Sequence, residues 1–290
     1  MPGGVYHRSF SYAGTDALGN LGDPTSVSPF RLDKYDVTVG RFRQFASAVR
    51  PPDGGAGWRP SAGSGKHTHL NGGLGLLDVG VPADAGTSYE PGWQSADDSY
   101  VVPSATNLAC DAYASWTDTP ASNEHLPIDC VNWYEAYAFC IWDGGFLPAE
   151  AEWEFAAADG DQVREYPWGT GFVGLPGGRG EYSVSSCSYS SPGSPGGCNG
   201  NVSNLAPVGT ATLGAGAWGQ LDLEGDVKQW TLDWYGAYTL CSDCANLSAG
   251  GTRVVRGDPG WQAALPTSVR HSQDPAFRPS GVGFRCARSP

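Results

Sequence analysis

One stretch constrains the fold of this chain more than any other: "LPIDCVNWYEAYAFCIWDGGFLPAEAEWEFAAADG". Asn132 and Glu135 have the spacing of an N-terminal capping box, and Gly144 and Gly145 are a helix stop. A second helix is predicted to begin after Pro148 and to end near the closing Asp-Gly. Two consecutive helices joined by a short glycine turn are therefore expected near the middle of the chain.

A strand and a further helix are predicted closer to the N-terminus. The segment "FRLDKYDV" alternates apolar and polar residues, which favours a strand. Thr38 then provides an N-cap, and Pro51 ends the helix. The predicted apolar face of this helix consists of Val39, Phe42, Phe45, Ala46 and Val49.

The other segments contain many turn residues. Residues 52–105 are rich in Gly, Ser, Pro and Asp and predict a long irregular excursion over the surface. Within it, His67 and His69 could hold a metal ion if they lay on a strand, or they are ordinary loop histidines. Residues 166–290 predict short strands between glycine-rich loops. We expect one α+β domain over residues 1–290, with 1–27 a poorly defined lead-in.

The charge balance excludes some classes of partner. The net charge is −13, and the 17 Lys and Arg residues are scattered along the chain. Nucleic-acid binding needs clustered cations, so we do not expect a nucleic-acid partner. The sequence contains no apolar run of about 18 residues, so we expect a protein that does not span a membrane.

Eight cysteines, an even number, predict disulfides and an oxidising compartment. The start of the sequence, "MPGGVYHRSF", has no apolar core, so either the native signal peptide has been removed or the protein is cytosolic. We expect the first, and therefore a secreted, periplasmic or cell-surface protein. Turn-rich loops lie between Cys187 and Cys198 and between Cys110 and Cys130, so a bridge is predicted across each loop. The remaining C-x-x-C pair, Cys241 and Cys244, predicts a local disulfide, with a redox pair or half a zinc site as alternatives.

Six motifs occur in order along most of the chain: "LDKYDVTVGRF", "NWYEAYAFCIWDGGFLPAEAEWEFAAA", "YPWG", "DLEGDVKQW", "RVVRG" and "GFRCA". This series resembles the formylglycine-generating enzyme (sulfatase-modifying factor) family. The resemblance implies a variant of the C-type-lectin fold with two helices, small twisted antiparallel sheets and long irregular loops. It also implies a disulfide between Cys140 and Cys286.

The resemblance implies an activity that the residues themselves do not support. Family members oxidise a substrate cysteine to formylglycine with copper, which two enzyme cysteines bind between the motif matching "RVVRG" and a later arginine, here Arg270. No cysteine lies between Gly257 and Arg270. Copper(I) needs soft thiolate ligands, so we expect no copper and no formylglycine generation.

The family also has a calcium loop, which corresponds here to "DLEGDVKQW". The resemblance implies calcium ligands at Asp222, Gly225, Val227 and Gln229. The amide of Gln229 replaces a family carboxylate, so the predicted calcium site is weakened.

We therefore predict a non-catalytic binding or recognition protein, whose ligand surface is the C-terminal segment 258–282. Its partner would be a protein, a peptide or another extracellular ligand. One alternative is an enzyme of the same fold with different, possibly metal-dependent oxidoreductase chemistry. Another alternative is a structural surface component. The predicted ligand-binding residues are Trp261, Gln262, Leu265, Arg270 and His271.

Overall fold

A computed structural model describes residues 1–13, 17–169, 181–185, 205–248, 250–258 and 265–290. The α-helices of the described part are α1 (Val39–Val49), α2 (Ala105–Leu108), α3 (Trp133–Trp142) and α4 (Glu150–Ala157), and six short 3-10 helices lie in the connections. No helix among these residues has both the length and the apolar character needed to cross a bilayer.

The first helix follows the sequence prediction closely. The Thr38 side chain accepts a hydrogen bond from the amide of Arg41 at 3.2 Å and so caps α1. All five residues of the predicted apolar face are buried. Local capping and apolar spacing are therefore sufficient to define this helix.

The two central helices are also present, each with a distinct cap. Asn132 accepts the amide of Glu135 at 2.8 Å and caps α3. Ala149, at the N-cap of α4, has no side-chain acceptor. Only the reciprocal half of a capping box is made there, in which Glu152 accepts the amide of Ala149 at 2.9 Å.

Eleven strands are assigned in the described part. They are β1 (Gly4–Ala13), β2 (Ala17–Val27), β3 (Arg31–Leu32), β4 (Leu77–Asp78), β5 (Lys228–Trp234), β6 (Cys241–Ser242), β7 (Cys244–Ala245), β8 (Arg253–Arg256), β9 (His271–Gln273), β10 (Val282–Gly283) and β11 (Ala287–Arg288). They form four small sheets with the strand orders β1-β2-β6, β10-β5-β8-β9, β11-β3 and β4-β7. This mixture of short sheets, helices and long connections confirms the predicted α+β fold.

Three details differ from the prediction. The lead-in predicted over residues 1–27 is in fact a long antiparallel hairpin of β1 and β2, because its residues pair along both strands. The strand predicted from "FRLDKYDV" is reduced to the two residues of β3, which pair with the end of the chain. The resemblance implied two helices, whereas the structure has two more, α1 and the single turn α2, before them in the chain.

Two disulfides connect distant parts of the described chain. Cys140 of α3 pairs with Cys286, and Cys110 pairs with Cys130, as expected. The first closes a sequence separation of 146 residues, for which the chain-entropy model gives a stabilisation of about 5 kcal/mol. Cys244 is also disulfide-bonded. The side chains of Cys187, Cys198 and Cys241 lie outside what the structure describes, so their predicted bridges stay predictions.

The irregular segment 52–105 is attached to the core by a buried histidine. His67 is fully buried, and its ring nitrogens lie 3.0 Å from Glu90 and 3.1 Å from Glu152. Burial alone would lower the pKa of His67, but the two carboxylates outweigh it and raise the pKa to about 10. His67 is therefore a structural cation that ties the excursion to the start of α4, not a surface loop residue or a residue of a strand.

We expect His67→Gln to destabilise the fold, because it leaves two buried carboxylates without their cation. Loss of one partner of a buried ion pair costs about 3–5 kcal/mol. The folded pKa lies above the ordinary value of 6.5, so the stabilisation is complete below that value and is lost as pH rises through about 10. Urea unfolding of both proteins across this interval should show the stability difference shrinking with rising pH. The neighbouring change His69→Gln should cost little, and a pH-independent difference for His67→Gln would contradict the ion-pair assignment.

Candidate functional site

The C-terminal segment leaves and re-enters the four-stranded sheet at neighbouring positions. Strands β8 and β9 are antiparallel, and Val255 pairs with His271. Gly257 begins the intervening loop with a φ of +75°, and a Cβ there would lie 2.6 Å from the carbonyl oxygen of Leu223. Only glycine fits both constraints, so this end of the loop is fixed by local sequence.

The predicted ligand residues are only partly visible in this arrangement. Trp261 and Gln262 lie outside the described residues. Leu265 is half-buried, and its amide donates to a carboxylate oxygen of Glu224 at 3.2 Å. Arg270 and His271 both follow the loop but face different surroundings, one a buried carboxylate and the other a partly exposed one.

A buried ionic clamp joins the described residues on either side of the loop. Glu150, at the first position of α4, binds Arg256 at 2.9 Å and receives two hydrogen bonds from Arg270 at 2.6 and 2.7 Å. Arg270 also donates to the carbonyl of Gly236 at 2.8 Å and lies over the ring of Tyr238 at 4.0 Å. One carboxylate therefore holds both ends of the loop, and the Arg270 guanidinium is committed to this scaffold.

The pKa values of two neighbouring glutamates in the clamp are shifted in opposite directions. Burial would raise the pKa of Glu150, but Arg256 and Arg270 outweigh it, and the net pKa is lowered. Glu154 lies one turn further along α4 and is also fully buried. Burial is the main cause that raises its pKa to about 7, and Glu150 adds to the rise, while Arg256 opposes it. The clamp is therefore anionic at Glu150 and titrates near neutral pH at Glu154.

A second, partly exposed cluster contains one described residue from each end of the loop. Nε2 of His271 lies 2.9 Å from Oδ2 of Asp258, and Nζ of Lys228 lies 3.0 Å from the same oxygen. The His271 side chain is 35% exposed. The His271 ring is therefore more exposed than the Arg270 side chain, which is 15% exposed, although Nε2 itself is buried against Asp258.

One exposed aromatic residue of the segment was not among the predicted site residues. Phe277 is 57% exposed and lies on a turn in which its amide donates to the carbonyl of Asp274 at 3.1 Å. The Asp274 side chain accepts the amide of Ala276 at 2.8 Å. Next to it, Arg278 pairs with the buried Glu135 of α3. The turn is therefore held in place on both sides of Phe277. The flanking prolines, Pro275 and Pro279, were the feature of the sequence that could have indicated a turn here.

The predicted calcium loop has its oxygen atoms largely engaged. Oε1 of Gln229 accepts the indole N–H of Trp153 and the Nε–H of Arg285, each at 2.7 Å. The Gln229 amide nitrogen donates to the carbonyl of Asp222, and the Asp222 carboxylate accepts the amide of Gly209, again at 2.7 Å in both cases. The donor set with Gly225 and Val227 therefore does not fit calcium unless Gln229 turns. The guanidinium of Arg285 already supplies a positive charge at this place.

Comparisons with known proteins identify the family. A model of the sulfatase-modifying factor enzyme 1-like domain matches residues 3–290. The formylglycine-generating enzyme of Streptomyces coelicolor is 31% identical over 298 residues, which cover 99% of this chain and 87% of that enzyme. The inactive C-alpha-formylglycine-generating enzyme 2 of Mus musculus is 29% identical over 164 residues, which cover 57% of this chain and 49% of that protein.

A solved structure agrees with these sequence matches at the level of the fold. PvdO from Pseudomonas aeruginosa is 18% identical and superposes with a TM-score of 0.59, covering 100% of this chain and 93% of its own. The agreement extends over the whole chain, as does the family match. The protein belongs to the sulfatase-modifying factor enzyme 1-like domain family.

Proposed function

We propose that this protein is a non-catalytic binding protein on a formylglycine-generating-enzyme-like scaffold, with segment 258–282 as its ligand surface. The observation that carries the proposal is Phe277, an exposed aromatic side chain on a braced turn inside that segment. Rigid aromatic anchors dominate the energetics of protein interfaces. His271 and Asp258 add a polar pair near the loop, and Trp261 and Gln262 remain predicted members of the same surface.

The lack of catalysis is supported by the absence of copper ligands. No cysteine lies between Gly257 and Arg270 in the sequence, and no other residue type there supplies a soft thiolate. One of the relatives is itself named inactive. The scaffold can therefore persist in the family without the oxidase reaction.

The purified protein, supplied with copper and oxygen, is expected to leave a cysteine-containing peptide substrate unoxidised, because the thiolates that would bind copper are missing. Mass spectrometry of the peptide, with the Streptomyces coelicolor enzyme as the positive control, measures formylglycine directly. Aldehyde formation above a heat-inactivated control would disprove the non-catalytic assignment.

Phe277→Ala is expected to weaken partner binding by about thirtyfold or more, since truncation of an interface anchor typically costs at least 2 kcal/mol. Because Phe277 is exposed, its removal should leave the melting temperature nearly unchanged. Leu240→Ala is the matched control, since Leu240 is 78% exposed and lies outside segment 258–282.

The measurement is retention of a purified candidate partner on immobilised protein, compared for the wild type and the two variants. If Phe277→Ala retains a partner as well as the wild type does and Leu240→Ala loses it, the binding surface lies outside segment 258–282. Sequences from closely related strains give a second test. Substitutions should concentrate in 258–282 if the segment recognises variable ligands.

An enzyme with different chemistry is the second candidate, and the cluster at the loop end favours it. Asp258 and His271 lie at the distance of an acid–base pair, with Lys228 beside them. His271→Ala would then abolish turnover and leave ligand affinity nearly unchanged. A recognition role predicts the reverse pattern, in which affinity is lost and no turnover is found in either protein.

Calcium at the Asp222 loop stays a prediction, and the engaged oxygen of Gln229 makes the expected affinity weak. We expect any binding to be no tighter than the range of about 10⁻⁴–10⁻³ M that is typical of extracellular calcium modules. Calorimetry against CaCl₂, with Asp222→Asn as the control, measures it. Micromolar binding that Asp222→Asn abolishes would show that Gln229 does turn towards the ion.

An oxidising location is the setting that we propose for this function. The two described disulfides are compatible with an extracellular or periplasmic protein. We propose that the protein is secreted or displayed at the cell surface. A protein, a peptide or another extracellular ligand is the partner type that an exposed aromatic anchor suits best.

A further inference from the structure

A separate cavity lies on the opposite end of strand β8 from the loop. It has a volume of about 250 Å³ and is lined chiefly by aromatic and aliphatic side chains, together with Gln94, Asp97, Arg253 and Glu90, whose carboxylate is already paired with His67. None of its lining residues belongs to segment 258–282. The volume lies below the range of about 300–1,000 Å³ that is typical of drug-sized ligand pockets. The cavity therefore suits a small molecule of few heavy atoms.

The guanidinium of Arg253 is the distinctive group of this cavity. It lies between two indole rings, 3.7 Å from the ring centre of Trp133 and 3.6 Å from that of Trp234. The residue is only 8% exposed. Both faces of the guanidinium plane are thus covered, so only its edge can contact a ligand. This arrangement fixes the orientation of the cation in advance.

The edge of the Arg253 guanidinium is incompletely satisfied. Nη1 donates to the carbonyl of Leu232 at 2.6 Å, whereas Nε is buried without a hydrogen-bond partner. Within the described residues no carboxylate lies in ion-pair contact with Arg253, although Asp233 and Asp97 favour its charge from further away. Burial outweighs them and lowers the pKa of Arg253 to about 9. A buried cation without a contacting counter-ion is costly for the empty protein, and an incoming carboxylate would relieve that cost.

Asp97 provides the opposite charge on the same cavity. Its side chain is half-buried and has no hydrogen-bond or ion-pair partner among the described residues. Burial raises its pKa, and Arg253 opposes the rise, so the two charges influence each other across the cavity without forming a contact pair. A cation and an anion held apart in one cavity match a ligand that carries both charges.

The apolar walls define the rest of the ligand. Tyr134, Tyr137, Leu232 and Leu247 line the space beside the two tryptophans. Tyr134 is itself stacked on Tyr100 at 4.3 Å, which stiffens that wall. A charged ligand side chain would find no partner against these groups, whereas an aliphatic or aromatic one would be buried favourably.

We propose that this cavity binds a free α-amino acid with an apolar side chain. Its carboxylate would contact the open edge of Arg253, its ammonium group would contact Asp97, and its side chain would pack against the aromatic wall. The proposal does not depend on the recognition role of segment 258–282. It adds a small-molecule site to the scaffold.

Titration calorimetry and tryptophan fluorescence with three matched probes test the proposal. L-Leucine carries both charges, isocaproate lacks the ammonium group, and isoamylamine lacks the carboxylate. Leucine should bind saturably. The affinity of each analogue should be lower by at least about tenfold, because each analogue loses one charge-assisted contact. No saturable leucine signal, or isocaproate binding as tightly as leucine, would overturn the proposal.

Two variants assign the contacts. Asp97→Asn should bring the affinities for leucine and isocaproate within about twofold of each other, because the ammonium contact is lost. Arg253→Met should abolish leucine binding, and circular dichroism checks that this core variant still folds. Asp97 is partly exposed, so Asp97→Asn should fold even if Arg253→Met does not. If Asp97→Asn still prefers leucine over isocaproate as strongly as the wild type does, the assignment of a zwitterionic ligand is refuted.

Phe277→Ala separates this proposal from the recognition role. It should bind leucine as the wild type does, because Phe277 does not line the cavity. Loss of leucine binding in Phe277→Ala would show that the cavity is not an independent site. If Phe277→Ala binds both leucine and the partner as the wild type does, the result counts against the recognition surface and leaves the leucine site standing.

Discussion

The carboxylate of Glu150 is the contact on which the C-terminal half of the structure depends. It binds Arg256 at the end of β8 and Arg270 just before β9, so one side chain of α4 fixes both ends of the intervening loop. Tyr238 and the indole of Trp153 enclose the two cations. Because all the charges are paired, the low-dielectric surroundings strengthen the clamp. Truncation of Glu150 would leave Arg270 without its carboxylate partner, whereas Arg256 would keep its ion pair with Glu154.

Capped helices could be predicted from the sequence because their signals are local. Thr38 and Asn132 accept the amides expected of N-caps, and the five apolar residues of α1 are buried as their spacing requires. The ordered motifs implied the family and the Cys140–Cys286 disulfide, both of which are present. These features depend on neighbouring residues or on the order of motifs, and both can be recognised in the sequence without a three-dimensional structure.

The candidate site could be predicted only in outline, because its decisive contacts join distant residues. Glu150 lies 106 residues from Arg256 and 120 from Arg270, and a glutamate in the first turn of a helix ordinarily indicates a solvated position. Arg270 stays a predicted ligand residue, but nothing in the sequence indicates that its guanidinium is held by Glu150. In the same way His67 looked like a loop residue, since Glu90 and Glu152 become its partners only after folding.

The separation of scaffold from surface gives this fold its capacity for different functions. The clamp, the Cys140–Cys286 bridge and the glycine at 257 fix where the loop begins and ends, and none of them requires particular residues between those points. The residues between these points can therefore change at little cost to folding. A buried ion pair adds little net stability relative to well-packed apolar residues, because the desolvation of both charges offsets their attraction. A clamp of this kind nevertheless fixes where the loop begins and ends, whichever residues lie between these points.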